Sequence, residues 1–390
     1  MFNPDSLKLP FFDDVHRDLH RDIHAWSRSN LPTRIHTGDV NQGCQERVKQ
    51  LGDAGWLRYC VPKQYGGALP DLDSRSLCLL RQTLGYYDGL ADFAFVLQGL
   101  GSGPISLFGS DHLKQKYLPH VATGKMLAAF ALSEPDAGSD AAAMTTKATR
   151  TKDGYRINGL KTWISNAGIA DFYVVFARTE NDEVDGVTAF VIDADNPGLK
   201  VTEQFSLCAP HPIGTLEFTD CDIPVSQRLN EPGKGFKIAL QNLDVFRASV
   251  GAAALGFAEA ALDLGLERSA TRKMFGGTLG DLQITQAAIG DMCTEIDAST
   301  LLVYRAAWER DVLQQRTTRS AAMAKMFATE SAQRIIDRCV QLHGGLGLKI
   351  GHPLELLYRE IRALRIYEGA TEVQQVVIAR ETIKSKQSAT

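Results

Sequence analysis

A chain of 390 residues is too long for one ordinary hydrophobic core, so two or three packed units are expected. Hydrophobic residues at 44% and charged residues at 23% are ordinary for a soluble globular protein and exclude disorder and low complexity. A net charge of −4 offers no general attraction for nucleic acid or an anionic membrane, so an anionic ligand has to be held by locally placed groups.

The opening run MFNPDSLKLPFFDD has neither a basic n-region nor an apolar h-region, and its acidic residues make a poor mitochondrial presequence. No apolar run approaches the roughly 20 residues of a membrane span, and a cytoplasmic protein is expected. From Phe12 to Ser29, Val15, Leu19, Ile23 and Trp26 recur at steps of four and three and predict one apolar helical face. A second helical segment runs through Val48, Leu51 and Trp56, and Leu77 to Leu84 is helical in composition. Asp111 is the expected N-cap of a short helix that stops at Pro119.

Near Met126 the helical spacing gives way to short β-like runs: LAAFAL, AMTTKATR, YRINGLKTWI, FYVVFAR, VTAFVID and TLEFTDCDIP. The turn Lys152-Asp153-Gly154 joins two of them as a hairpin. Helical spacing returns at Gly235, with one long segment over Phe236 to Ser269 and another carrying Ile289, Met292, Ile296 and Val303 on one face. Gly344 to Gly351 interrupts the pattern before a last helix near Thr371. The seven cysteines are scattered, with no CxxC pair and no metal-ligand spacing, and read as reduced thiols.

The densest candidate for chemistry is FALSEPDAGSD, Phe130 to Asp140, where a strand enters a loop of Gly, Pro and small hydroxyl residues. Such a loop presents backbone N–H groups and a flat approach to a planar cofactor; spacing alone equally fits a surface turn with Ser133 as a local cap. Four further runs follow in order: KTWISNAG at Lys161 to Gly168, RKMFGG at Arg272 to Gly277, QLHGGLG at Gln341 to Gly347, and IYEGATEVQ at Ile366 to Gln374. Each alone has a plain reading: a core tryptophan, a solvated arginine, a flexible turn, an exposed glutamate before glycine.

Together the five runs resemble the successive signatures of acyl-CoA dehydrogenases, in that family's order and over nearly the whole chain. The resemblance implies an α+β fold: an N-terminal α-helical domain over 1–122, a middle β-sandwich or barrel over 123–231 and a C-terminal four-helix bundle over 232–390. It implies FAD as cofactor and an acyl-CoA thioester as substrate, with an electron-transfer flavoprotein as electron acceptor and assembly as a homo-oligomer, a tetramer.

Residue by residue, the resemblance puts Phe130, Ala131, Leu132, Ser133 and Ser139 beside the flavin or the thioester, with Ser139 near the pantetheine arm. It packs Trp163, Ile164 and Ser165 on the isoalloxazine, with the Ser165 hydroxyl toward N5. Arg272, Phe275 and Gln283 would reach the FAD of a neighbouring subunit, and Gln341, Gly344 and Gly345 its adenosine and pyrophosphate. Arginine suits phosphate because its planar fork pairs with two oxygens. Glu368 would be the base that removes the α-proton, and Gly369 lets the chain pass close to the thioester. The family's other base position is Phe246 here, flanked by Asp244 and Arg247, which match the CoA entrance; a helix N-terminal acid and a solvated arginine are their plain readings.

Three departures stand out. The segment Ser206 to Phe218 replaces the stretch expected near the acyl and pantetheine channel, which leaves His211 as a structural loop histidine. Ala370 stands where a threonine is common, and Glu372 where a glutamine is common. The rival readings are the same oxidation of an acyl group on a carrier protein, a flavin monooxygenase or oxidase on this fold, and a non-catalytic flavin binder. Glu368 argues against the monooxygenase, and the absence of GxGxxG after a strand argues against a nicotinamide.

Overall fold

The computed structural model describes residues 4–31, 38–179 and 186–387. In chain order the helices α1 (Asp14–Asn30), α2 (Val40–Asp53), α3 (Ser74–Tyr87), α4 (Gly89–Phe108) and α5 (Asp111–Ala122) come first. The strands β1 (Ala128–Ala131), β2 (Lys147–Arg150), β3 (Gly154–Ser165), β4 (Phe172–Thr179), β5 (Gly186–Asp193), β6 (Leu199–Gln204), β7 (Ile213–Pro224) and β8 (Arg228–Leu229) follow. Then come α6 (Gly235–Thr271), the hairpin β9 (Lys273–Met274) and β10 (Gly277–Thr278), α7 (Gln283–Asp311), α8 (Thr318–His343), α9 (Pro353–Leu364) and α10 (Thr371–Gln387). The chain divides into two compact units, one from the described parts of Met1–Thr37, Ser74–Asp92 and Asp244–Thr390, the other from Gly38–Asp73 and Phe93–Leu243.

The helical unit is cored by alanine and branched residues of α6, α7, α8 and α9, among them Ala252, Leu255, Val303, Ile335 and Ile361. Small residues let α6 come close to its neighbours: a Cβ on Gly256 would meet backbone of α3 at Gln82 and Tyr86. A polar chain crosses this core, with the Tyr304 hydroxyl donating to Gln82 Oε1 at 2.5 Å and Gln82 Nε2 donating to Glu259 Oε1 at 2.8 Å. Helix α1 turns His16, Leu19, Ile23 and Ser27 inward, while Val15 is exposed and Trp26 half-buried. The apolar stripe expected through Val15 and Trp26 is thus rotated, because the His16 ring closes a capping box on the Asp13 N–H.

In the second unit eight strands form one sheet in the order β6-β7-β3-β2-β4-β5-β8, with β1 parallel to β4. Tyr155 on β3 and Phe190 on β5 have ring centroids 4.9 Å apart although two strands separate them along the sheet. Neighbouring strands are about 4.8 Å apart, so the sheet curls over its own core. Strands β4 and β5 are buried almost throughout, and Tyr117 of α5 lies 4.6 Å from Phe172 of β4. The expected Lys152-Asp153-Gly154 turn joins β2 to β3.

Several expectations change in detail. Helix α5 is capped by Ser110, not Asp111, and runs past Pro119 to Ala122. Burial of Leu118, Val121 and Ala122 outweighs the one hydrogen bond that a proline removes. Strand β6, LKVTEQ, is largely exposed and carries little apolar signal, and α9 follows the turn-rich Gly344 to Gly351 stretch; neither was expected as an element of its own. Helices α4 and α6 are long and apolar enough to cross a membrane, contrary to expectation, but 94% and 100% of their apolar windows are buried inside the protein. All seven cysteines are free.

Burial raises the Glu259 pKa from 4.5 to about 7. A raised carboxyl is neutral in the folded state where the unfolded chain is ionised, so its contribution is full below pH 4.5 and is lost as pH rises through about 7. Urea unfolding followed from pH 5 to 8 should show wild type losing up to about 3 kcal/mol relative to Glu259→Gln. Parallel curves would show that Glu259 ionises alike in both states.

Candidate active site

Between α9 and α10 the chain makes a tight turn. The N–H groups of Ile366 and Tyr367 donate to Ala363 O at 2.9 and 3.1 Å, and that of Thr371 to Arg365 O at 3.2 Å. Glu368 and Gly369 both lie in the left-handed region, at φ 52° and 91°. For a non-glycine residue this costs about 1–2 kcal/mol, so other contacts must hold it. Gln374 Nε2 donates to Glu368 O at 3.0 Å and to Gly369 O at 2.9 Å, and Lys325 Nζ donates to Gly369 O at 2.8 Å. Glu330 Oε1 ties the flanks by accepting from Arg365 Nε at 2.8 Å and Thr371 Oγ1 at 2.6 Å.

The Glu368 carboxylate has one oxygen, Oε2, fully enclosed and without a hydrogen-bond partner. Burial pushes its pKa up, against the pull of Arg81, Lys325 and Arg247, while Asp92 adds to the rise. Arg81 is wholly buried: Nε and Nη2 grip the two Asp92 oxygens at 2.8 and 2.9 Å, and Nη1 donates to Ser249 Oγ at 3.0 Å. Ser249 Oγ in turn donates to Phe246 O at 2.7 Å. Burial brings Lys325 down to about 8, against the pull of Glu368 and Glu330. A half-buried carboxylate with one enclosed oxygen, a raised pKa and cations that favour its ionised form is suited to general-base work.

In the β unit, β3 bulges against β7: Lys161 pairs Leu216 and Ile164 pairs Gly214, so Thr162 and Trp163 together face Thr215. The bulge puts Trp163 at φ 60° and turns its ring outward, 56% exposed and 4.6 Å from the Phe205 ring. Thr162 N donates to Ser133 O at 3.0 Å, which brings KTWISNAG and FALSEPDAGSD together. Beneath them Lys161 Nζ donates to Glu134 Oε1 at 2.8 Å and to Leu132 O at 2.9 Å. Glu134 also accepts from Thr145 N, Thr145 Oγ1 and Thr146 N. Burial raises the Glu134 pKa, but Lys161 and these donors outweigh it and bring it down to about 2. Phe130, Leu132, Ser133 and Ser165 are half-buried, Ala131 and Ile164 buried, and Ser139 exposed.

The remaining expected residues fall in the helical unit. Arg272 Nη1 donates to Leu342 O at 3.4 Å and lies beside Gly344, so RKMFGG and QLHGGLG meet. Phe275 and Gly276, at φ 46° and 81°, form the two-residue turn of the β9–β10 hairpin, with Phe275 88% exposed. Gln283, Gln341, Gly345 and Glu372 are exposed, and Gly344 and Ala370 half-buried. Asp244 lies well inside α6 and accepts from Arg247 Nη1 and Thr318 Oγ1, both at 2.8 Å; Arg247 is buried. Neither the helix-start acid nor the solvated arginine describes this pair.

Three family models match the chain: the acyl-CoA dehydrogenase N-terminal domain over residues 13–125, the middle domain over 129–221 and the C-terminal domain over 233–383. The chain belongs to the acyl-CoA dehydrogenase family. The short-chain specific acyl-CoA dehydrogenase of Rattus norvegicus mitochondria is 37% identical over 387 residues, covering 98% of this chain and 93% of the relative. The structure of butyryl-CoA dehydrogenase from Megasphaera elsdenii is similar with a TM-score of 0.87 at 32% identity, over 95% of this chain and 99% of that one. An acyl-CoA dehydrogenase from Bacillus anthracis complexed with FAD has a TM-score of 0.88 at 26% identity, over 100% of this chain and 69% of that one. The prolyl acyl carrier protein oxidase AnaB has 0.87 at 26% identity, over 95% and 99%.

In this acyl-CoA dehydrogenase chain, sequence reasoning missed Arg81, Asp92, Lys325, Gln374 and the Glu134–Lys161 pair. The signal for the basic residues was an arginine in LCLLRQTL and a lysine in AAMAKMF, each a lone charge on an apolar helical face. Removing one partner of a buried pair strands the other. Lys161→Met should therefore cost about 3–5 kcal/mol in urea unfolding, and Lys161→Met/Glu134→Gln clearly less. Additive losses in that cycle would show that the two groups do not act as a pair.

Proposed function

We propose that this protein is an FAD-dependent dehydrogenase that converts an acyl-CoA thioester to its trans-2-enoyl form, with Glu368 as the base. The observation that carries the reading is the half-buried Glu368 side chain, with its Oε2 enclosed and without a partner, set in the last of the five signatures. Glu368 takes the α-proton, the electrons of that C–H bond become the new Cα–Cβ π bond, and the β-hydrogen leaves with its electron pair. FAD, when bound, supplies the acceptor for that hydrogen and pair. The Glu368 N–H donates to no backbone carbonyl among the described residues, which suits it to stabilise the developing enolate oxygen.

The residues present fit the cofactor. Trp163 offers an outward aromatic face backed by Phe205, with the half-buried hydroxyls of Ser133 and Ser165 nearby in sequence and in the sheet. Among the described residues the Arg272 guanidinium makes one long hydrogen bond, to the Leu342 carbonyl beside the Gly344 turn, which leaves most of its donors for phosphate. Phe275, Ile284 and Ile350 are 88%, 80% and 85% exposed, and burial in a homo-oligomer, a tetramer in this reading, would remove that cost. The proposal includes domains over 1–122, 123–231 and 232–390, an electron-transfer flavoprotein as acceptor and a cytoplasmic setting.

A carrier-protein thioester is the second reading, favoured by the likeness to the prolyl acyl carrier protein oxidase. The altered Ser206 to Phe218 segment is built around His211, stacked 4.3 Å from Phe93. Anaerobic bleaching of the flavin by CoA and carrier-protein thioesters, straight, branched and cyclic, decides between them.

Glu368→Gln should retain yellow flavin yet bleach about 10² to 10⁴-fold more slowly. The wild-type rate should fall as pH drops through the raised Glu368 pKa, because only the ionised carboxylate accepts the proton. A Glu368→Gln rate equal to wild type places the base elsewhere. Arg272→Ala should lower FAD retention on gel filtration; full retention removes Arg272 from the cofactor site.

A further inference from the structure

We infer that Lys325 and Gln374 are positioning residues for the base: from α8 and α10 they hold the carbonyls of Glu368 and Gly369 and so lock the left-handed backbone that aims the carboxylate. The catalytic part of this inference rests on Glu368 being the base; the backbone part does not. Both side chains are wholly buried. Burying an ammonium group is costly, and a lysine kept only for stability would be expected against a carboxylate. Lys325 instead spends its hydrogen bond on the Gly369 carbonyl at 2.8 Å.

Gln374 converges on the same two peptide units, at 3.0 and 2.9 Å. A Cβ on Gly369 would collide with the Gln374 amide, so the glycine is what lets the amide lie against the turn. Glu330, five residues after Lys325, fastens Arg365 and Thr371 on either side. The turn is therefore held at its centre by two donors and at its flanks by one acceptor. That arrangement over-determines a conformation a glutamate would otherwise leave.

Lys325 also adds positive charge next to the base. The charged groups acting on Glu368 are Arg81 from α3, Asp92 from α4, Arg247 from α6 and Lys325 from α8. Gln374 adds none. The two residues thus share a backbone role and differ in an electrostatic one, and that difference is measurable.

The flavin-loaded enzyme is assayed with butyryl-CoA across pH. Lys325→Met should lower kcat by about 10-fold or more with KM within about 3-fold, and move the acid limb of kcat/KM upward, since a lost cation makes the carboxylate harder to ionise. Gln374→Leu should lower kcat comparably and leave the acid limb in place. A crystal structure of Lys325→Met/Gln374→Leu should show Glu368 out of the left-handed region. Glu368 remaining near φ 52° in that variant overturns the inference whatever the substrate. If Glu368→Gln is silent while both single variants match wild type, the positioning role falls and the base stands. If Glu368→Gln is as fast as wild type, the base falls and the φ at 368 alone decides the backbone role. Should Lys325→Met fail to accumulate, Gln374→Leu and its structure carry the test.

Discussion

A carboxylate that is to accept a proton from carbon, the role proposed for Glu368, has to be shielded from water yet still ionise, and the charged groups around Glu368 bear on both demands. Burial around Glu368 raises its pKa, and without opposing charges the rise would be larger. Three cations from three helices oppose the rise, but Arg81 is already gripped by Asp92, so its net pull is reduced. For the proposed role, that balance makes Glu368 a stronger proton acceptor through poor solvation while nearby cations keep its ionised form accessible. The same balance accounts for Arg81, Asp92 and Lys325 as buried charges beside a core rich in alanine and branched residues.

The β unit meets a different demand, a flat face on a curved sheet. A regular strand alternates its side chains, and Trp163 would then point along the pleat like its neighbours. The bulge between Lys161 and Ile164, with Trp163 at positive φ, turns the ring outward instead. Strain at one residue needs a firm base, and the Lys161–Glu134 pair supplies it by joining the strand to the loop after β1 through five polar contacts on one carboxylate and one ammonium.

The division into helical, β and helical segments was legible because the hydrophobic period changes twice, near Met126 and near Gly235, and each change spans many residues. Strand β6 was not legible, since it is an edge strand with only Leu199 and Val201 half-buried and the rest exposed. Helix α5 outran its proline because burial, which a local pattern does not report, decided the matter. Among the candidate residues, Glu368, Trp163, Ser133 and Arg272 stand out in the sequence only as parts of linked runs. Lys325 and Arg81 lie outside every run; their importance depends on which backbone or carboxylate the fold brings to them. Gln374 closes the last run, but its two bonds to the turn follow from the left-handed backbone and not from spacing.

The same geometry bears on why the proposed base is Glu368 and not a residue of α6. The family's other base position is Phe246, which is wholly buried, and its carbonyl accepts from Ser249, the third anchor of Arg81. That stretch of α6 is committed to holding the cation that moderates Glu368. A carboxylate at 246 would bring another buried negative charge to a helix whose Arg247 is already paired to Asp244. With Arg81 engaged by Asp92 and Lys325 bonded to the Gly369 carbonyl, no uncommitted cation of this set remains to compensate it. Moving the proposed base to α6 would therefore require rebuilding the charge set around it, so Glu368 and the charges around it are best treated as one unit in the proposed mechanism.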